Sequence, residues 1–142
     1  MKKLSMMCLV TTLALACGSC GNSHNLYPVS GKVLYRGRPA VNAVVFLRRP
    51  GAEPLNQQAI MGIVQEDGSF ALVCESFGNG APPGEYDVLI EWKHDAKRTR
   101  TGANAKPSLD RLKGRYADPK HPRFQVTIKA QRNELPPFEL TD

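Results

Sequence analysis

From Val29 onward the chain never holds a helical apolar repeat for any useful length; its apolar residues come in short runs that stop at Gly, Pro, Asn or Asp. Seven such runs stand out: Val29–Tyr35, Ala43–Arg48, Ala59–Gln65, Ser69–Cys74, Glu85–Trp92, Arg123–Lys129 and Leu135–Leu140. Two of them alternate with period two. Tyr86, Val88, Ile90 and Trp92 share one face, opposite Glu85, Asp87, Leu89 and Glu91; Phe124, Val126 and Ile128 alternate with Arg123, Gln125, Thr127 and Lys129. That alternation belongs to a sheet with one buried and one wet face. The pattern as a whole predicts an all-β domain, a seven-stranded antiparallel β-sandwich.

Asp67-Gly68 is a hairpin signal, because a type I′ turn needs positive φ at both central residues. A two-residue loop there would pair Ile63 with Leu72 and Met61 with Cys74, on the face that carries Phe70. Cys74 is then a small core hydrophobe rather than a reactive thiol. Pro136 and Pro137 cannot both join a ladder, so the last strand should be an edge or irregular. Between Trp92 and Arg123 runs a connection of thirty residues, Lys93–Pro122, which is long for a compact domain. Leu109, Leu112 and Tyr116 within it suggest a short helical turn packed onto the sandwich, and its first part, Lys93 to Lys106, is polar.

The first residues read as a targeting segment. Lys2 and Lys3 precede a mainly apolar stretch, Leu4 to Ala16, too short to cross a bilayer as a helix and fitting a signal peptide. Cys17, directly after the small residue Ala16, resembles the lipobox cysteine of bacterial lipoproteins, which becomes acylated and, after cleavage, N-terminal. Ala14 stands where that motif usually has Leu, and Cys20, after Gly18-Ser19, is the second candidate. Ala14-Leu15-Ala16 is also an ordinary secretory cleavage site, which keeps plain secretion open. Cleavage before Cys17 takes 16 of the 142 residues and leaves 126; losing Lys2 and Lys3 lowers the formal charge from +6 to +4. The organisation expected is a signal peptide over residues 1–16, a Gly/Ser/Asn-rich tether over 17–28 and a sandwich over 29–142. A domain of that size stands without disulfides.

Taken together, the runs resemble the carboxypeptidase regulatory-like family, a transthyretin-like or prealbumin-like β-sandwich, and within it a subgroup of small bacterial lipoproteins. The residues that carry the likeness are Val29-Ser30-Gly31-Lys32-Val33, Tyr35-Arg36-Gly37-Arg38-Pro39 and Ala43-Val44-Val45-Phe46, then Asp67-Gly68-Ser69-Phe70 and Pro83-Gly84-Glu85-Tyr86. Tyr116-Ala117-Asp118-Pro119, Phe124 to Ile128, Asn133 and Phe138-Glu139-Leu140 continue it. The resemblance implies a non-catalytic module that presents or attaches something. Hydroxyisourate hydrolases share the transthyretin-like fold, but they finish in Tyr-Arg-Gly-Ser, whereas this chain finishes Phe138 to Asp142. Tyr35-Arg36-Gly37-Arg38 is read as a hairpin turn, and an uncharacterised hydrolase is the least favoured alternative.

Other chemistry finds little purchase. His24, His94 and His121 have no metal-ligand spacing, and a zinc site needs three or four convergent ligands; no cofactor is expected. Lys93, Lys97, Arg98, Arg100 and Lys106 form a basic run with only Asp95 against it. It is either a solvated loop or a contact for an anionic partner such as lipid headgroups, a glycan or envelope polymer, or an acidic envelope protein. Nucleic acid is not expected, because the interleaved aromatics of a single-strand groove are missing. Trp92, at its strand end, is left open as a sugar-stacking platform. The function expected is that of a non-catalytic lipoprotein at the cell membrane or outer membrane, holding its sandwich out as a structural or interaction module.

Overall fold

The computed structural model describes residues 25–52, 59–93 and 109–142. Within them it is all-β, with two sheets packed face to face and no helix. The hub of the first sheet is β1 (Val29–Tyr35), whose alternate residues Val29, Gly31 and Val33 are buried. It pairs antiparallel with β2 (Arg38–Pro39) and β5 (Ser69–Ala71), and in parallel with β10 (Asn133–Glu134) and β11 (Phe138–Leu140). The second sheet is antiparallel throughout, in the order β7 (Gly78–Asn79), β6 (Val73–Cys74), β4 (Ile60–Ile63), β3 (Val44–Arg48), β8 (Gly84–Glu91) and β9 (Phe124–Ile128).

Each of the seven predicted runs contains a strand, one run is divided between the sheets, and three two-residue strands, β2, β7 and β10, lie outside the runs, which makes eleven. Ser69–Cys74 divides at Leu72, sending β5 to the first sheet and β6 to the second. The parallel pairs depart from the expected all-antiparallel arrangement. After β9 the chain crosses to the other sheet through a turn held by the Asn133 side chain, which accepts the Lys129 N–H at 2.9 Å and donates to the carbonyls of Lys129 (3.0 Å) and Gln131 (2.5 Å). It then runs alongside β1 in the same direction. Pro136 and Pro137 fall in the gap between β10 and β11, where no ladder donor is needed.

The hairpin at Asp67-Gly68 exists, but its loop is one residue longer than predicted. The Gly68 N–H donates to Gln65 O (3.0 Å) and the Gln65 N–H to Ser69 O (2.8 Å), so Glu66, Asp67 and Gly68 form the loop. Gly68 has φ of 83° while Asp67 is not at positive φ, the pattern of a three-residue loop with its last residue left-handed. Asp67 Oδ1 accepts the backbone N–H and the hydroxyl of Ser69 at 3.0 and 2.6 Å, fixing that geometry. A two-residue turn with both central residues at positive φ does occur, at Arg36-Gly37 between β1 and β2. The extra loop residue shifts the pairing by one, so Ile60 faces Cys74 and Met61 faces Val73. A one-residue slip moves every side chain to the other face. Ile60, Val64, Phe70, Leu72 and Cys74 are therefore inside, while Met61 and Ile63, expected in the core, point out.

Between the sheets Val29, Val33, Phe138 and Leu140 join Val45, Ile60, Tyr86, Val88, Ile90 and Ile128 in one buried cluster. Stacked and tilted rings run through it, with Phe138 contacting Phe70 at 6.2 Å and Phe124 at 4.9 Å between centroids. The described part of the long connection, Leu109 onward, forms successive turns rather than the expected helical turn. Leu112 and Tyr116 pack down as predicted, but Leu109 is exposed. Asp110 organises these turns: its carboxylate accepts the N–H groups of Trp92 (2.9 Å), Leu112 (3.1 Å) and Gly114 (2.8 Å).

Candidate interaction surface

A strand that is apolar at successive positions has something to bury on both faces. β3 is such a strand from Val44 to Leu47: Val45 and Leu47 go into the core, which sends Val44 and Phe46 outward. The register then builds the outer face of the second sheet residue by residue. Leu89, Phe46, Met61 and Val73 are successive partners across β8, β3, β4 and β6, and Val44 partners Ile63 beside them. Six apolar side chains thus lie together on a face where alternation would have placed polar ones. Ile63 is 51% exposed and Val73 42%, and Phe77, in the turn after β6, is 45% exposed. The other four are half-buried.

The face changes character toward β9. Arg48 lies opposite Asp87, and Asp87 opposite Gln125, whose side-chain amide donates to the Asp87 carboxylate at 2.8 Å. Asp87 is buried, unlike Glu85 and Glu91 on the same strand face. The Arg48 guanidinium donates to Ala52 O at 2.5 Å, leaving its Nε without a hydrogen-bond partner.

At the opposite end the face deepens into a recess of about 580 Å³. It opens where β4 and β5 part company to join different sheets. Met61, Ile63, Ala71 and Val73 line it, with Ser30, Ser69 and Gln65 as its polar side chains. Gly62 makes the parting possible, because a Cβ there would sit 2.5 Å from the Ala71 carbonyl oxygen. Close approach of two backbones is a standard reason for glycine inside a strand.

Of the residues singled out from sequence, Cys17, Cys20, Lys97, Arg98, Arg100 and Lys106 lie outside the described residues, as do His24 and His94. Lys93 is exposed and pairs with Glu91 at 2.8 Å, which holds the ammonium pKa above its ordinary value. The Trp92 indole N–H donates to Val41 O at 2.8 Å, the Tyr35 ring meets it edge-on at 5.4 Å, and the Arg111 guanidinium sits 4.7 Å from its centroid. That indole is occupied by the protein's own groups, so a sugar would have to displace Arg111 to stack there. His121 lies 2.9 Å from the Asp118 carboxylate, a hydrogen bond that lowers the Asp118 pKa. Cys74 is fully buried. Among the described residues, no three His, Cys, Asp or Glu side chains converge as a metal site would require.

No family model matches the chain, and no curated protein matches it. Among solved structures it is similar to a DUF3823 family protein from Parabacteroides merdae, with a TM-score of 0.40 and 18% identity. The match covers 80% of this chain and 44% of that one, so the chain spans less than half the length of that protein.

Proposed function

We propose that this chain is an exported, lipid-anchored module that acts by contact rather than by catalysis. The recess on the outside of the second sheet carries the reading. Among the described residues its lining contains no His, Cys, Asp, Glu, Lys or Arg, the groups that general acid–base chemistry most often uses. Apolar walls of this kind hold apolar surface.

The address comes from the N-terminal residues. Lys2, Lys3 and the apolar stretch to Ala16 direct export, and Cys17 takes the lipid, with Cys20 as the second choice. Acyl chains add about 0.8 kcal/mol of membrane affinity per buried methylene, so two or more hold a small domain almost permanently. We read the sandwich over 29–142 as a carboxypeptidase regulatory-like domain presented on that anchor. Turns at Arg36-Gly37 and at Gly68, where the family resemblance places them, support the reading.

Intact mass of the protein from a bacterial membrane fraction tests the anchor. The expected mass is that of residues 17–142 plus acyl chains, lost in Cys17→Ser and kept in Cys20→Ser. The reverse result moves the anchor to Cys20. An unmodified mass in the soluble fraction overturns the lipoprotein reading.

A further inference from the structure

We infer that the apolar outer face of the second sheet is the surface on which the domain lies against the membrane. The inference rests on the anchored reading above and goes further, because an anchor fixes distance but not orientation. The occupant it names is the headgroup–acyl boundary of a lipid bilayer.

The place where the N-terminal segment joins the fold points to this face. Tyr27 and Ala81 exchange backbone hydrogen bonds, each at 3.0 Å. Two residues before Ala81, Asn79 of β7 pairs with Val73 of β6. The chain therefore enters the sandwich at the sheet edge where the apolar row ends in Val73. Cys17 is ten residues before Tyr27. Ten residues reach at most about 35 Å when fully extended. Six strands at about 4.8 Å spacing make a sheet about 24 Å across. A lipid on Cys17 is thus held no more than about 35 Å from the sheet edge that ends in Val73.

Chemistry separates this face from the alternative. The outward residues of the first sheet include Lys32, Glu134 and Glu139, all exposed; resting that face on lipid would dehydrate charges. The outer face of the second sheet keeps its charges, Arg48, Glu85, Asp87 and Glu91, on β3 and β8, and beside them runs the continuous apolar row of Leu89, Phe46, Met61 and Val73 with Val44 and Ile63. Interfacial binding grows with buried apolar area. The rim also suits a headgroup layer of mixed polarity, with Arg48 at one side and the Glu91–Lys93 pair at another.

The test uses the full chain purified from membranes and reconstituted in phosphatidylethanolamine–phosphatidylglycerol vesicles with brominated acyl chains. Tryptophan is introduced singly by Ile63→Trp, Val73→Trp, Lys32→Trp and Glu139→Trp, and quenching is read over the parent chain, whose only tryptophan is Trp92. The expected result is at least roughly twofold stronger quenching at positions 63 and 73 than at 32 and 139, since an interfacial face sits about 5–10 Å into the boundary. Equal quenching at all four positions, in a chain whose mass includes acyl groups, overturns the membrane-facing surface and leaves the anchor standing. So does a 63-to-63 crosslink between two copies in the vesicles, which would make a second copy the occupant. A chain without acyl mass that is still quenched at 63 and 73 when added to vesicles keeps the surface and overturns the anchor. Absence of both overturns both.

Discussion

The two sheets bury inner faces of the same kind and differ on the outside. On the first sheet, outward positions of β1 and its partners include Ser30, Lys32, Ser69, Glu134 and Glu139, with Leu34 and Ala71 the apolar ones among them. On the second, the outward positions of β3, β4 and β6 are apolar, and alternation fails. Of the apolar groups on the second outer face, Val44, Phe46, Met61 and Leu89 are half-buried, while Ile63 and Val73 are exposed. Contiguous exposed apolar surface is the kind that contact with a partner would cover. On the proposed reading, the contrast between the sheets is one between residues that serve stability and residues that serve contact.

Two isoleucines on one strand make that contrast measurable. Ile60 is 6% exposed and faces Cys74 inside; Ile63, three residues on, is 51% exposed. Ile60→Ala should cost about 2–5 kcal/mol, the range for deleting a buried aliphatic side chain. Ile63→Ala should stay within about 0.5 kcal/mol of the parent. Urea unfolding of both variants decides the matter, and equal costs would mean the register of β4 is not the one described. Gly62→Ala comes between them. Its Cβ would meet the Ala71 carbonyl at 2.5 Å, and forcing that contact should cost about 1–3 kcal/mol, with a lower denaturation midpoint at unchanged slope.

Much of this fold is legible in the sequence. Tyr86, Val88 and Ile90 are buried, as the period-two pattern requires, and the proline pair interrupts the last run where it must. The outward placing of Met61 and Ile63 was hidden by one loop residue. Asp67-Gly68 suits both a two-residue and a three-residue hairpin, and choosing the shorter one sends Met61 and Ile63 into the core on paper. The surviving signal was the unbroken apolar run from Ala43 to Leu47, which no one-sided sheet explains. Asp87 is a second case: its position on the wet face is legible, but its burial depends on Gln125, thirty-eight residues away. The basic run after Trp92 is plain in the sequence, yet only Lys93 of its five candidates falls among the described residues, and that one is held by Glu91.

The Trp92 end provides a smaller version of the same comparison, because there an apolar surface is covered by the protein itself. Arg111 stacks over the indole at 4.7 Å, an exposed cation–π contact of about 0.5–1 kcal/mol. Arg111→Ala should lower stability by about that amount and change the tryptophan emission. A soluble oligosaccharide that alters the emission of Arg111→Ala but not of the parent would show that the guanidinium closes a stacking platform. No response in either chain would rule out a stacking platform at Trp92.

The smallest effect expected is at the turn that assigns the faces. Both hydrogen bonds from Ser69 go to the ionised Asp67 carboxylate and lower its pKa below the ordinary carboxylate value. A carboxylate whose folded-state pKa is depressed contributes stability that is fully present above its unfolded value, about 3.9, and disappears as pH falls through the lower folded value. The parent should therefore lose stability relative to Asp67→Asn as pH drops from about 5 to about 3, while the difference between them stays flat above that window. The sign is the informative part. If the difference instead grows as pH falls, the carboxylate is not the acceptor in this turn, and the three-residue loop that puts Met61 and Ile63 outside loses its side-chain support.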